Sequence, residues 1–270
     1  VFAFAGAEKW VFADHLLNVP MATIATTPAE AKNIEKEKID AAKPAFKAYA
    51  EALKFMTEHA AGLKGHASRG PELINAANYG YDQTVQMFAD GNALFIQQGN
   101  WAYSNIEKIN PETAKNVSFI PLKMPFTDEM IQDGRTAEQI NSSIIVTTGN
   151  YYAINAKVSE EQQKQAVEFL KWMEKEENVQ KWIIDSFKFI PYNVTPEMKL
   201  ENPLSESIQK YLSAGQTFND TVVGTPKTWS GEKVGTALLE QYIGKEEWDD
   251  ETLDQIADLC VNSWKELKSE

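Results

Sequence analysis

The sequence has a single cysteine, Cys260, and three histidines in 270 residues. One cysteine excludes an internal disulfide, and its place on a helical apolar stripe makes it a small core residue rather than a nucleophile. The histidines, His15, His59 and His66, show no H-x-x-x-H or Cys/His ligand spacing, so no zinc site is expected. Basic residues are outnumbered, 26 against 39 acidic, for a net charge of −13. That balance argues against nucleic acid and against an anionic membrane surface, both of which require basic patches. No apolar run reaches the roughly 18 residues that a membrane-spanning helix needs. Residues 1–6 carry no basic segment and are too short for a signal peptide. Missing too are the G-x-S-x-G elbow, the phosphate loop and the G-x-G-x-x-G dinucleotide fingerprint. No Asp or Glu sits in a distinctive pair of the kind a glycosidase requires. Neither metal nor cofactor is expected, and no catalytic residue.

What is present is a core and many aromatics. Hydrophobic residues make up 43% of the chain, with seven Trp, nine Tyr and thirteen Phe. The most informative run is MFADGNALFIQQGNWAYSNI, residues 87–106. It reads as a helix end, a turn at Asp90-Gly91, a short buried strand over 93–96, a second turn at Gln98-Gly99-Asn100, and a new helix from Trp101. Gly99 offers a backbone with no Cβ to clash. Trp101 then stands at the carboxyl end of a strand and the mouth of a helix, where open α/β sheets bind ligands. A flat indole beside the amide of Asn100 suits a ligand with one apolar face and a polar rim, such as a pyranose ring.

Along the chain, residues 1–6 read as a buried strand and 10–19 as an apolar helix ended by Pro20. Residues 44–60 read as an amphipathic helix with Phe46, Tyr49, Leu53 and Met56 inward. Asp82 is expected to cap the helix that ends at Phe88. A strand is expected over 116–122, a long polar loop over 123–140, and two strands around Gly149-Asn150 within 141–156. Ser159 and Gln162 form a capping box for a helix whose apolar stripe is Ala166, Val167, Phe169, Leu170 and Met173. Ser230 is expected to cap a helix ending at Gly244, and Asp249 or Asp250 the last helix, with Leu253, Ile256, Cys260, Trp264 and Leu267 inward.

The run around Trp101 resembles the pattern F-x-x-G-x-x-A-x-x-x-x-G-x-W of the bacterial extracellular solute-binding proteins, family 1, whose best-known relative is the maltose-binding protein. It falls on Phe88, Gly91, Gly99 and Trp101, with Ala93 one place early. A second segment, AVEFLKWM followed by a helix through Trp182 and then Phe189-Ile190-Pro191, is similar to the family's helix–helix–proline stretch. The resemblance implies an α/β, helix-rich, periplasmic-binding-protein-like fold of two lobes, with the N-terminal portion of the first lobe absent. Residues 1–148 would be the main part of the second lobe, 149–200 a crossing strand and helices of the first, and 201–270 helices packing back on the second. Residues 151–196 would then leave apolar faces uncovered, inviting association through the incomplete lobe.

The resemblance also implies non-catalytic capture of a mono- or oligosaccharide for the membrane permease of an ABC importer. The setting would be extracellular or periplasmic, with membrane anchoring through an N-terminal lipid signal that lies outside the chain. By this resemblance Glu8, Trp10 and Trp229 join Trp101 and Asn100 as ligand-binding candidates, together with Asn150 and Tyr152. The tryptophans would stack on sugar faces, and Glu8, Asn100 and Asn150 would hydrogen-bond hydroxyls. Two other classes stand beside this reading: a helix-rich glycoside hydrolase or a solute-binding protein for a non-sugar ligand, and an interaction scaffold whose tryptophans are all core.

Overall fold

The computed structural model describes residues 1–63, 70–147 and 151–268. Its scaffold is a helix pair. Helix α1, Lys43–Glu58, buries Phe46, Tyr49, Leu53 and Met56 on one face, the period that its sequence dictates. It packs against the C-terminal helix, Asp250–Leu267, which buries Leu253, Ile256, Cys260 and Trp264. Asp249 caps that helix, accepting from the Thr252 amide at 2.9 Å. Lys43 and Lys47 bridge from α1 to Asp258 and Asp254 at 2.6 and 2.9 Å. These pairs are half-exposed, so each adds at most about 1 kcal/mol, and apolar burial holds the two helices together.

Four further helices complete the frame: α2, Tyr81–Ala89; α3, Tyr103–Ile109; α4, Glu160–Met173; and α5, Pro203–Ala214. The C-terminal helix is thus α6. The main core joins residues of the first 79 positions to those between 218 and 264. A second core joins Val85 of α2, Tyr103 and Ile106 of α3, Ile144, and Leu204 and Ile208 of α5.

Strands are few among the described residues. β1, Phe2–Ala3, pairs in parallel with β2, Phe95–Ile96, and β3, Ile144–Val146, pairs in parallel with β4, Thr217–Asn219. The expected burial of residues 93–96 holds only for Ala93; Leu94 is 74% exposed and Phe95 is also exposed. Residues 116–122 form no strand either. There the Ser207 hydroxyl accepts from the Phe119 amide at 3.0 Å and donates to the Phe119 carbonyl at 3.1 Å. A side chain thus satisfies the backbone groups that a ladder would have used.

Four local expectations change. Pro20 does not end its helix, because it is the third residue of Asn18–Met21, where an intrahelical amide bond is not required. Asp82 lies inside the first turn of α2, and Gly80 holds the cap position. Ser230 caps nothing: its hydroxyl donates to Asp14 Oδ1 at 2.5 Å. The polar stretch 123–140 contains a short helix, Ala137–Asn141, with its own capping box from Thr136 and Gln139.

Helix α4 forms with the expected capping box of Ser159 and Gln162. Its stripe is not covered, however. Val167, Phe169 and Trp172 are exposed, with Phe169 and Trp172 stacked on each other at 5.9 Å. Only Met173 of that stripe is buried.

Candidate functional site

The segments leaving the carboxyl ends of β1 and β2 bring three rings together, and a fourth joins them from the start of α2. The chain after β1 passes Gly6 and reaches Trp10, which opens a helical turn of π type, Val11–His15. In a π turn the hydrogen bonds run to i+5, so residues five apart share a face. That places His15 against Trp10, edge to face, at 4.9 Å between centroids. The chain after β2 delivers Trp101, 5.2 Å from His15 and 6.5 Å from Trp10. Tyr81, at the start of α2, stands 5.9 Å from Trp10.

The supports are specific. Glu8 accepts from Trp10 Nε1 at 2.9 Å with one carboxylate oxygen and from the Tyr81 amide at 3.2 Å with the other. It therefore clamps the two aromatic segments, and each oxygen keeps a second lone pair. Tyr81 Oη accepts from Asn105 at 3.2 Å. Burial pushes the Tyr81 phenol up, and the Asn105 contact partly offsets this. Trp101 Nε1 donates to Gln98 Oε1 at 3.2 Å. Its ring lies on the backbone of Gly99, where a Cβ would meet the indole at 2.0 Å. Gly99 has an ordinary extended backbone, with φ −93° and ψ 179°. Glycine is needed there for the space above it rather than for the turn.

His15 is the titratable member of the cluster. Burial lowers its pKa, and the carboxylates of Asp14 and Asp220 oppose that shift without cancelling it. The ring is therefore held neutral at pH 7. Asp220 follows β4 directly, and its amide donates to the Val146 carbonyl at 3.0 Å. The next residues are tied to the helical segment of His15, since Asn18 Oδ1 accepts from the Val222 amide at 2.9 Å. The segment that follows β4 is thus fastened to the helical stretch that follows His15.

Of the expected ligand residues, Glu8, Trp10 and Trp101 are brought together, and Asn100 stands beside Trp101 in the chain. Trp101 is 38% exposed and Trp10 is partly buried, so both retain surface for a ligand. Asn150 lies outside the described residues. Tyr152 is 66% exposed and makes no ring contact among the described residues. Trp229 is a correction. It is wholly buried, donates from Nε1 to the Cys260 carbonyl at 2.9 Å, and packs edge-on against Phe46. A ring with no exposed face cannot stack on a ligand.

His15, Gln98 and Asp220 were not among the sequence candidates, and Tyr81 carried no distinguishing signal. The spacing of Trp10 and His15 hid their partnership, because a 3.6-residue period separates residues five apart. Among the described residues no group of three His, Cys, Asp or Glu could hold a metal ion. Cys260 is buried, and burial pushes its thiol far above its usual range. An open hollow elsewhere is lined by Lys175, Glu176, Glu177 and Gln180. That lining is polar and contains no ring, so it does not suit a flat ligand.

A family profile described as bacterial extracellular solute-binding protein matches residues 7–232. The chain belongs to that family, and all the cluster residues fall within the match. No curated protein matches the chain. Membership supports a substrate-capture role, in a family that is generally non-enzymatic, and an extracellular or periplasmic setting. No helix among the described residues is long and apolar enough to cross a membrane.

Proposed function

We propose that this protein captures a mono- or oligosaccharide for an ABC importer, seating the sugar against Trp10 and Trp101. The observation that carries this reading is the ring cluster itself. Two indoles, a phenol and a neutral imidazole line one place at the strand ends, and the partly exposed Trp101 is laid on glycine. Apolar sugar faces stack on such rings, by analogy with aromatic pairs at about 1 kcal/mol each beyond area burial. Hydroxyls would be met by Glu8, Asn100 and Asn150. In this reading residues 1–148 and 201–270 form one lobe and 149–200 belong to the other. Closure of the lobes over the ligand follows the hinge mode of binding proteins. The loaded protein then docks on a membrane permease, tethered to the membrane by a lipid.

The test is a titration of intrinsic tryptophan fluorescence with neutral saccharides: glucose, galactose, xylose, maltose and cellobiose. A saturable change with the sugar recovered intact is the expected result. Trp101→Ala should weaken binding about tenfold or more while the thermal unfolding midpoint stays close to the parent. Unchanged affinity in a folded Trp101→Ala protein removes this site. Steady release of shorter sugars makes the protein a hydrolase instead.

A further inference from the structure

The two side-chain partners of Glu8 are both hydrogen-bond donors. Glu8 sits in the turn that leaves β1, where its amide donates to the Ala5 carbonyl at 3.0 Å and its carbonyl accepts from the Val11 amide at 2.9 Å. The backbone therefore fixes the point from which the side chain reaches. Oε2 accepts from Trp10 Nε1 at 2.9 Å, and Oε1 accepts from the Tyr81 amide at 3.2 Å. The second bond is a long-range helix cap. Tyr81 is the first residue of α2, so its amide has no partner within the helix. Gly80, at the cap position, has no side chain to supply one. Glu8 supplies it from 73 positions away, and a carboxylate suits the positive end of a helix. Only a carboxylate offers an acceptor to each of two N–H groups; an amide of the same shape turns an NH2 toward one of them.

We infer that Glu8 is a positioning residue of the ring cluster: its two bonds set the angle of the Trp10 indole and hold it against Tyr81. Trp10 stands 5.9 Å from Tyr81, 4.9 Å from His15 and 6.5 Å from Trp101. An indole free to turn about its side-chain bonds loses that arrangement. A ligand that stacks on a loose ring bears the cost of ordering it, whereas a ligand that meets a fixed ring does not. This duty is separate from any hydroxyl that the remaining lone pairs of Glu8 meet. The inference rests on the saccharide reading above and adds what holds the platform rigid.

The experiment follows the indole N–H resonances by NMR, with that of Trp10 assigned by its disappearance in Trp10→Phe. Glu8→Gln should move the Trp10 resonance upfield and speed its hydrogen exchange with solvent about tenfold. The saccharides named above are then titrated into the parent, Glu8→Gln, Trp10→Phe and the double variant. In the parent, Glu8→Gln should weaken the bound sugar about tenfold. In the Trp10→Phe background no indole N–H opposes the amide, and the loss should shrink to about twofold. Thermal melts establish that the variants are folded. Glu8→Ala removes both acceptors without adding a donor, and it takes the place of Glu8→Gln should that variant unfold. An unmoved Trp10 resonance overturns the inference. An equal loss of affinity in both backgrounds also overturns it, since Glu8 then acts on the ligand itself, and the saccharide site stands. If no sugar binds the parent protein, the saccharide reading fails and takes this inference with it.

Discussion

Helices α1 and α4 are built on the same plan and end in opposite states. Both are amphipathic, and both present aromatics at helical spacing. The stripe of α1 is sealed by α6 and by the helical segment of Phe12, whose carbonyl accepts from Tyr49 Oη at 2.5 Å. The stripe of α4 leaves Phe169 more than half exposed, at 53%. A stripe states which face of a helix is apolar; it does not state what lies opposite. Burial is a property of two surfaces, and only one of them is written in any one segment.

The sharpest way to break the comparison is to truncate one aromatic in each region. Trp229→Ala in the sealed core should cost about 3–5 kcal/mol, since it removes a wholly buried indole and the hydrogen bond that its N–H makes to the Cys260 carbonyl. Phe169→Ala on α4 should stay within about 0.5 kcal/mol. Urea unfolding midpoints of the two variants check this, and similar losses would mean that α4 is covered in solution.

A smaller effect is expected at the ring cluster. Gly99→Ala places a Cβ at 2.0 Å from the Trp101 ring, so the indole must leave its seat. The backbone there accepts alanine, so the cost is the displaced ring, about 1–3 kcal/mol. A red-shifted tryptophan emission together with weakened ligand binding is the expected signature. An unmoved emission spectrum would show that the ring is not held as described.

The smallest effect is a pH slope. The His15 pKa is lowered from its ordinary 6.5 in the folded state by burial, against Asp14 and Asp220. The unfolded chain therefore takes up the proton first as pH falls. The stabilising contribution of neutral His15 is complete above about pH 6.5, and is lost as pH drops from there through the lower folded value. Melting temperatures measured between pH 5 and pH 8 should show this dependence, and His15→Gln should flatten it. An identical slope in both proteins would place the titrating group elsewhere.

Several features were legible in the residues because they are local. The capping box of Ser159 and Gln162, the cap at Asp249 and the stripes of α1 and α6 each need only a few neighbours in sequence. The partners of Trp101 were half legible. Its place after a strand and a glycine could be read, whereas the reason for Gly99 is the ring lying on it. Trp229 and Trp101 are the same residue type near helix starts, and nothing local separates them. One meets Phe46 and Cys260 across the core, and the other meets His15 at the surface.

By itself the sequence determined an acidic, helix-rich chain, the caps and apolar faces of its longer helices, and the indole that follows Gly99. Tertiary structure alone decided which tryptophans keep an open face and tied Val222 to Asn18 from 204 positions away. It also left the stripe of α4 exposed while sealing that of α1. The physical reason is range. Hydrogen bonds of a cap and the period of a helix act within a turn or two, whereas burial and ring contacts depend on which distant surfaces meet.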